Sequence, residues 1–218
     1  MRPGMEGEIL IVLDIETSGI DFVKHGIWQI GALDLNNPKR QFLEECRIDD
    51  DDAVTQGAMD IGGIDEKYLR DKKKQSQKQL LERFFIWCGR SKIKNFICQN
   101  PQFDTGFIKT KAEKYYLTYP FHFRAFDLHS IANTKYYQLH DRFLMKEFKD
   151  VKISYSDMGL PTILKFCGMS DSRTTHNALE DCKLTAECFS RIVYGKTLLK
   201  EFDKYPLPDY LRKKSGGR

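Results

Sequence analysis

Apolar and polar positions along the chain fall into blocks of two periods. In residues 8–13 (EILIVL), five apolar and partly β-branched side chains follow Glu8 without a break, which predicts a strand buried on both faces. Residues 26–35 (GIWQIGALDL) and 41–49 (QFLEECRID) are two further strand-length stretches, joined by an Asn36-Asn37-Pro38 turn. Three early strands with short links predict an antiparallel meander. Apolar residues then recur at 80, 81, 84, 85 and 88, which is helical spacing, with Gly89 near the C-terminal end. NFICQN (95–100) reads as another buried strand, and Pro101 opens a helix over 102–117. Residues 123–132 pass from strand to helix, and the polar, mixed stretch 138–158 is expected as an inserted loop or an extra helix. LPTILKFCG (160–168) predicts a short helix ended by Gly168, and a long helix follows over 177–194. Strands interleaved with helices predict one α/β domain over residues 8–195, with an N-terminal extension (1–7) and a C-terminal tail (196–218) that is mobile after Tyr205.

Composition narrows the class without naming a function. The 218 residues are 41% hydrophobic and 30% charged, the balance of a soluble globular protein rather than of a disordered, collagenous or coiled-coil chain. A formal charge of +4 permits nucleic acid as a partner but does not demand it. No apolar stretch approaches the roughly 20 residues needed to span a bilayer, and the N-terminus lacks the apolar core of a secretory signal. Six cysteines form no CxxC pair, so buried free thiols in a reducing, cytoplasmic compartment are expected, not a zinc site. The run Asp49–Asp52 reads as a solvated loop, since like charges repel. Basic residues at 72–74, 109, 111 and 114 are candidates for tracking a phosphate backbone. The aromatics of KYYLTYPFHF (114–123) serve either core packing or base stacking.

Three segments carry carboxylates where a core is expected. Asp14 and Glu16 extend the first strand, and residues two apart on a strand point to the same side. Unpaired, the two anions would lose water and repel each other, so they either face solvent past the strand end or share a cation. In QNPQFDTGF, Asp104 lies four residues after Asn100 and between Phe103 and Phe107, where it also suits the positive end of a helix. In THNALEDC, Asn177 and Glu180 suit a helix start. His176 then lies just before the helix, and Asp181 shares a stripe with Ala178, Cys182 and Thr185. Four carboxylates and one histidine form a set that hard divalent cations favour. Such a set can hold two metals roughly 3.5–4 Å apart, and a nearby histidine can take the proton of an attacking water.

With these motifs in this order, the chain resembles the DEDDh 3′–5′ exonucleases, the group of the proofreading epsilon subunit and RNase T. LDIETSG matches the family's first motif, QNPQFDTGF its second and HNALEDC its third. The resemblance implies a ribonuclease-H-like α/β fold: a mixed sheet, with an antiparallel three-strand meander plus parallel strands, flanked by helices. It implies a metal-dependent enzyme that releases nucleoside 5′-monophosphates from single-stranded 3′ ends with two Mg²⁺ or Mn²⁺ ions; DNA is expected somewhat ahead of RNA, and no residue announces the 2′-OH contact that would decide between them. Carried over by position, Asp14, Glu16 and Asp181 ligate the first metal. Asp14 also reaches the second, to which Asp104 contributes, and His176 activates the water. Thr17, Asn100 and Phe103 shape the pocket for the terminal nucleotide. Gln99 departs from the family, many of whose members carry histidine there. Alternatives are an exoribonuclease that trims RNA 3′ ends, or a binding module that has lost its chemistry. Proofreading would require a polymerase or repair partner in trans.

Overall fold

Strand β1 (Ile11–Thr17) runs through the middle of the sheet, as its unbroken apolar run demands. It pairs antiparallel with β2 (Ile27–Asp34), Asp14 opposite Gly31, and β2 pairs antiparallel with β3 (Asn37–Glu45). This is the expected meander, except that β3 starts and ends four residues earlier than the expected 41–49. The structure, a computed structural model, describes residues 10–89, 94–148 and 153–213; the extension at 1–7 lies outside them.

The chain then crosses over through helices α1 (Gln56–Gly62), α2 (Glu66–Leu69) and α3 (Gln77–Cys88). It returns as β4 (Phe96–Cys98), parallel to β1 with Ile11 opposite Phe96. Helix α4 (Pro101–Lys114) follows, and β5 (Phe126–Asp127) completes the order β3-β2-β1-β4-β5. This is the mixed sheet, an antiparallel meander joined to a parallel strand, that the resemblance implies. A capping box between Ser76 and Gln79 starts α3, whose Leu80, Leu81, Phe84 and Cys88 are buried at the predicted spacing. They share a core with Ile11, Leu13 and Ile15 of β1, Phe96 of β4 and Phe107 and Ile108 of α4. Phe121 joins this core, with Tyr115 and Tyr119 against it, so core packing is the main use of the 114–123 aromatics; Tyr116 and Phe123 are exposed.

The chain forms two compact units. The first holds the residues up to Phe126 together with Arg173–Lys183, and the second holds Asp127–Ser172 and the residues from Leu184 onward. In the second, α5 (Leu128–His140) is capped by the Asp127 carboxylate. β6 (Met145–Phe148) and β7 (Ile153–Ser156) form an antiparallel hairpin, and α6 (Leu160–Phe166) follows. The expected loop or extra helix at 138–158 is therefore corrected to a hairpin; its residues 149–152 lie outside the described ones. Asn133 of α5 ties the hairpin down, donating to Ser156 Oγ and accepting from the Leu144 amide. Helix α7 (Ala178–Phe189) begins in the first unit and ends in the second, where a π turn (Ser190–Tyr194) continues it.

Two further expectations are corrected. Residues 206–213, expected to be mobile, are packed in place, while 214–218 lie outside the described residues. Arg191 and Glu187 form a buried ion pair at 2.7 Å; Glu187 accepts from the Leu198 and Leu199 amides, and Arg191 donates to the carbonyls of Phe202 and Tyr205. Leu211 is buried and Tyr210 donates to the Phe166 carbonyl. The aspartate run is not simply solvated either. Asp52 is buried and paired with buried Lys111 at 2.6 Å, Lys114 bridges Asp49 and Asp51, and Lys72 pairs with Asp50. Lys111, Lys114 and Lys72 thus neutralise aspartates of their own chain, and the proposed phosphate-tracking series shrinks to Lys73 and Lys109, with Lys74 held by Glu45. All six cysteines are buried free thiols. Among the described residues, no helix is long and apolar enough to cross a membrane.

Candidate active site

The site is built on β1, which carries Asp14 and Glu16 on one face. The strand continues through Thr17, so these acids do not sit beyond its end; Glu16 is buried and Asp14 half-buried. Two helices are brought to this face by short sequence devices. Asn100 takes a left-handed backbone (φ 65°), turning the chain sharply from β4 into α4, and Pro101 suits the first helical turn. Asp104, in that turn, accepts a hydrogen bond from the Ile15 amide of β1 at 3.2 Å. Helix α7 is laid on the other side. A Cβ at Gly31 of β2 would overlap the Ala178 and Leu179 backbone, so only glycine permits this approach. Cys182 Sγ lies 3.1 Å from the Gly31 carbonyl oxygen. Asn177 Oδ1 accepts from the Leu179 and Glu180 amides, capping the helix as expected.

These contacts bring the five predicted residues to one place. His176 Nδ1 lies 3.3 Å from Asp181 Oδ2, and one ligand atom each of Glu16, His176 and Asp181 fall within 4.8 Å of one another. The His176 amide donates to the Ile61 carbonyl at the end of α1. Burial pushes the Asp14 carboxyl well above its ordinary range, and repulsion from Asp104, Asp181 and Glu16 adds to it. Burial, with repulsion from Asp181, pushes Glu16 up to about 7 against the pull of His176 and Arg173. Asp104 is likewise pushed up by burial, although backbone amides including Ile15 oppose the shift. His176 is raised by its hydrogen bond to Asp181. Such a knot of buried like charges is relieved either by protons or by a cation.

The residues present fit a hard divalent ion. The donors are carboxylate oxygens and one imidazole. Glu16 Oε1 is buried and has no hydrogen-bond partner, which is costly unless a cation takes it. Thr17 donates from Oγ1 to the Gly19 carbonyl, shaping the turn after β1. Phe103 packs on Phe107, centroids 4.9 Å apart, and Phe22 meets Phe107 edge-on. Two residues of the site were not foreseen. Arg173 Nη1 pairs with Asp181 Oδ1 at 2.7 Å, and nothing in the spacing of SDSRTTH announces it. Gln29 Oε1 accepts from the Ala178 amide at 2.7 Å; a lone amide inside GIWQIGALDL was the available signal.

The profile of the RNase T exonucleases matches residues 11–189. The chain belongs to this exonuclease family. A curated relative, a PolC-type DNA polymerase III of Caldanaerobacter subterraneus subsp. tengcongensis, is 28% identical over 190 residues. That match takes in 87% of the exonuclease chain, which spans only 12% of the relative's length. Among solved structures, the nuclease domain of 3'hExo, a DEDDh family member bound to rAMP, is similar with a TM-score of 0.64 at 16% identity, covering 90% of this chain and 96% of that one. The E. coli ExoI–ssDNA complex in its zinc-bound form scores 0.63 at 17% identity, covering 82% and 39%. A 3′-exonuclease that recognises the histone mRNA stem-loop scores 0.65 at 16% identity, covering 88% and 65%. At these identities the likeness is one of fold.

Proposed function

We propose that this exonuclease removes nucleoside 5′-monophosphates from single-stranded 3′ ends in a reaction that depends on two divalent ions, Mg²⁺ or Mn²⁺. The observation that carries the reading is the convergence of Asp14, Glu16, Asp104, His176 and Asp181, with the buried, unpartnered Glu16 Oε1 among them. Asp14, Glu16 and Asp181 would hold one ion, and Asp14 with Asp104 would hold the other. Bound there, the ions supply positive charge that favours ionisation of water and stabilises the leaving 3′ oxygen. The chain's own groups do the rest. His176 presents Nδ1 to Asp181, which leaves Nε2 to accept the proton of the attacking water. The Ile15 amide orients Asp104. Thr17, Asn100 and Phe103 line the approach of the terminal nucleotide. Similarity to part of a DNA polymerase supports DNA as the preferred polymer and a polymerase or repair context. Likeness to an exonuclease that recognises an mRNA stem-loop supports the second reading, RNA trimming. Six buried thiols suit a reducing, cytoplasmic compartment.

The test is digestion of matched 5′-labelled single-stranded DNA and RNA with Mg²⁺, Mn²⁺ or EDTA, beside the Asp14→Ala protein. A ladder that shortens from the 3′ end, absent with EDTA and in the variant, is expected, and the faster polymer names the substrate class. No cleavage of either polymer by folded, metal-loaded protein would refute the reading in favour of a binding module.

A further inference from the structure

The first backbone amides of a helix have no acceptor within it. In α7, Asn177 serves Leu179 and Glu180, while the Ala178 amide is taken by a side chain 149 residues away in sequence. That side chain, Gln29, is buried in the middle of the sheet on β2. Its amide has a fixed sense: Oε1 accepts from Ala178, so Nε2 must donate, and it does so to Glu45 Oε1 at 3.0 Å. Glu45 on β3 is itself anchored, its second oxygen accepting from the Tyr68 hydroxyl of α2 and from Lys74 Nζ at 3.1 Å. Burial opposes ionisation of Glu45, but the Tyr68, Lys74 and Gln29 hydrogen bonds outweigh it and hold the carboxyl below its ordinary range. A chain of hydrogen bonds thus runs from Lys74 and Tyr68 through Glu45 and Gln29 to the residue that starts α7. His176 lies two residues before that point and Asp181 three after it.

We propose that Gln29 is a positioning residue of the reaction, clamping the start of α7 to the sheet so that His176 and Asp181 face Asp14 and Glu16. The proposal rests on the exonuclease reading above. It touches no substrate or ion; it fixes the groups that do. Leucine at 29 offers neither acceptor nor donor. Glutamate keeps the acceptor for Ala178 but loses the donor and sets a second anion against Glu45. Exchanging the two residues restores every bond with the sense of the Gln29–Glu45 bond reversed. The new carboxylate at 29 accepts from both Ala178 and the new amide at 45, whose oxygen still accepts from Tyr68 and Lys74.

The experiment compares the wild-type chain with Gln29→Leu, Gln29→Glu and the exchange Gln29→Glu/Glu45→Gln. It reads kcat and KM on a single-stranded oligonucleotide, and separately the rise in Tm produced by Mn²⁺ alone. Displacing groups that orient metal ligands typically costs roughly 10–100-fold in activity or metal affinity. Both single variants should lose kcat on that scale with little change in KM, and should show a smaller Mn²⁺-induced rise. The exchange should recover most of both. Wild-type kcat and a wild-type Mn²⁺ response in the single variants would overturn the proposal. So would an exchange variant, folded by circular dichroism, that recovers nothing over Gln29→Glu. Should Gln29→Leu fail to fold, the glutamate single and the exchange decide alone. If wild-type protein cleaves nothing, the exonuclease reading falls, while the Mn²⁺ response still tests the clamp.

Discussion

Replacing Glu16 with glutamine should stabilise the metal-free protein, and the size of the effect follows from burial. Glu16 is only 8% exposed, its carboxyl is pushed from 4.5 up to about 7, and Oε1 has no partner. The sign follows from proton counting. Below 4.5 the carboxyl is protonated in both folded and unfolded chains and contributes nothing. Between 4.5 and about 7 the folded chain keeps a proton that the unfolded chain has lost, so each added pH unit costs about 1.4 kcal/mol. Above that window the penalty levels off at about 3 kcal/mol. Glutamine has nearly the same shape and never ionises. In EDTA at pH 8, Glu16→Gln should therefore unfold at higher denaturant, by about 3 kcal/mol, and at pH 4 it should match the wild type. Trp28 and Trp87 both belong to the first unit, so their fluorescence reports the unfolding of the part that carries the site. Mn²⁺ at roughly 1,000 times its Kd should reverse the order, because it adds about 4.1 kcal/mol to a protein that binds it. A variant no more stable than wild type at pH 8 in EDTA would refute the argument that Glu16 is a buried charge awaiting a cation.

Three further outcomes follow from contacts described above. Lys111→Met strands the buried Asp52 carboxylate and should destabilise by about 3–5 kcal/mol, with much of the loss recovered in Lys111→Met/Asp52→Leu, both read by urea denaturation. Gly31→Ala drives a methyl group into the Ala178–Leu179 backbone and displaces the start of α7; kcat should fall roughly 100-fold, the scale of a 1 Å misplacement, with the far-ultraviolet dichroism retained. In EDTA the His176 ring should titrate above the ordinary 6.5, because Asp181 favours the imidazolium, and Mg²⁺ should lower that midpoint by engaging Asp181. An NMR titration unmoved by Mg²⁺ would contradict a shared site.

Much of the fold was legible because each element announced itself locally. The apolar run of β1, the helical stripe of α3 and the Pro101 start of α4 need only their own neighbours to be read. Elements without such a stripe escaped. Helix α1 buries none of its residues, and α2 is four residues long, so neither has periodicity to detect. The hairpin strands β6 and β7 are four residues each, too short for alternation to stand out from a polar stretch. The aspartate run was misread for another reason. Its charges are answered by Lys111 and Lys114, 59 and 63 residues further on, and a sequence shows a charge without showing its partner.

The site divides along the same line. Asp14, Glu16, Asp104 and Asp181 stood out as candidates because each is a carboxylate among apolar neighbours on a regular element, and His176 because it keeps the family's spacing ahead of Asp181. That conflict is a local property, and it is visible wherever function overrides packing. The groups that aim them conflict with nothing nearby. Arg173 lies in a polar loop where an arginine is unremarked, and its pairing with Asp181 at 2.7 Å is visible only in the fold. Gln29 is intermediate. A single amide in an eight-residue strand whose every position is buried needs two partners, so its presence forecasts a bond but not with whom. The residues proposed to meet substrate or ion are therefore readable as local violations of the folding pattern. Residues that hold them in place become readable only when the sheet brings β2 beneath the start of α7.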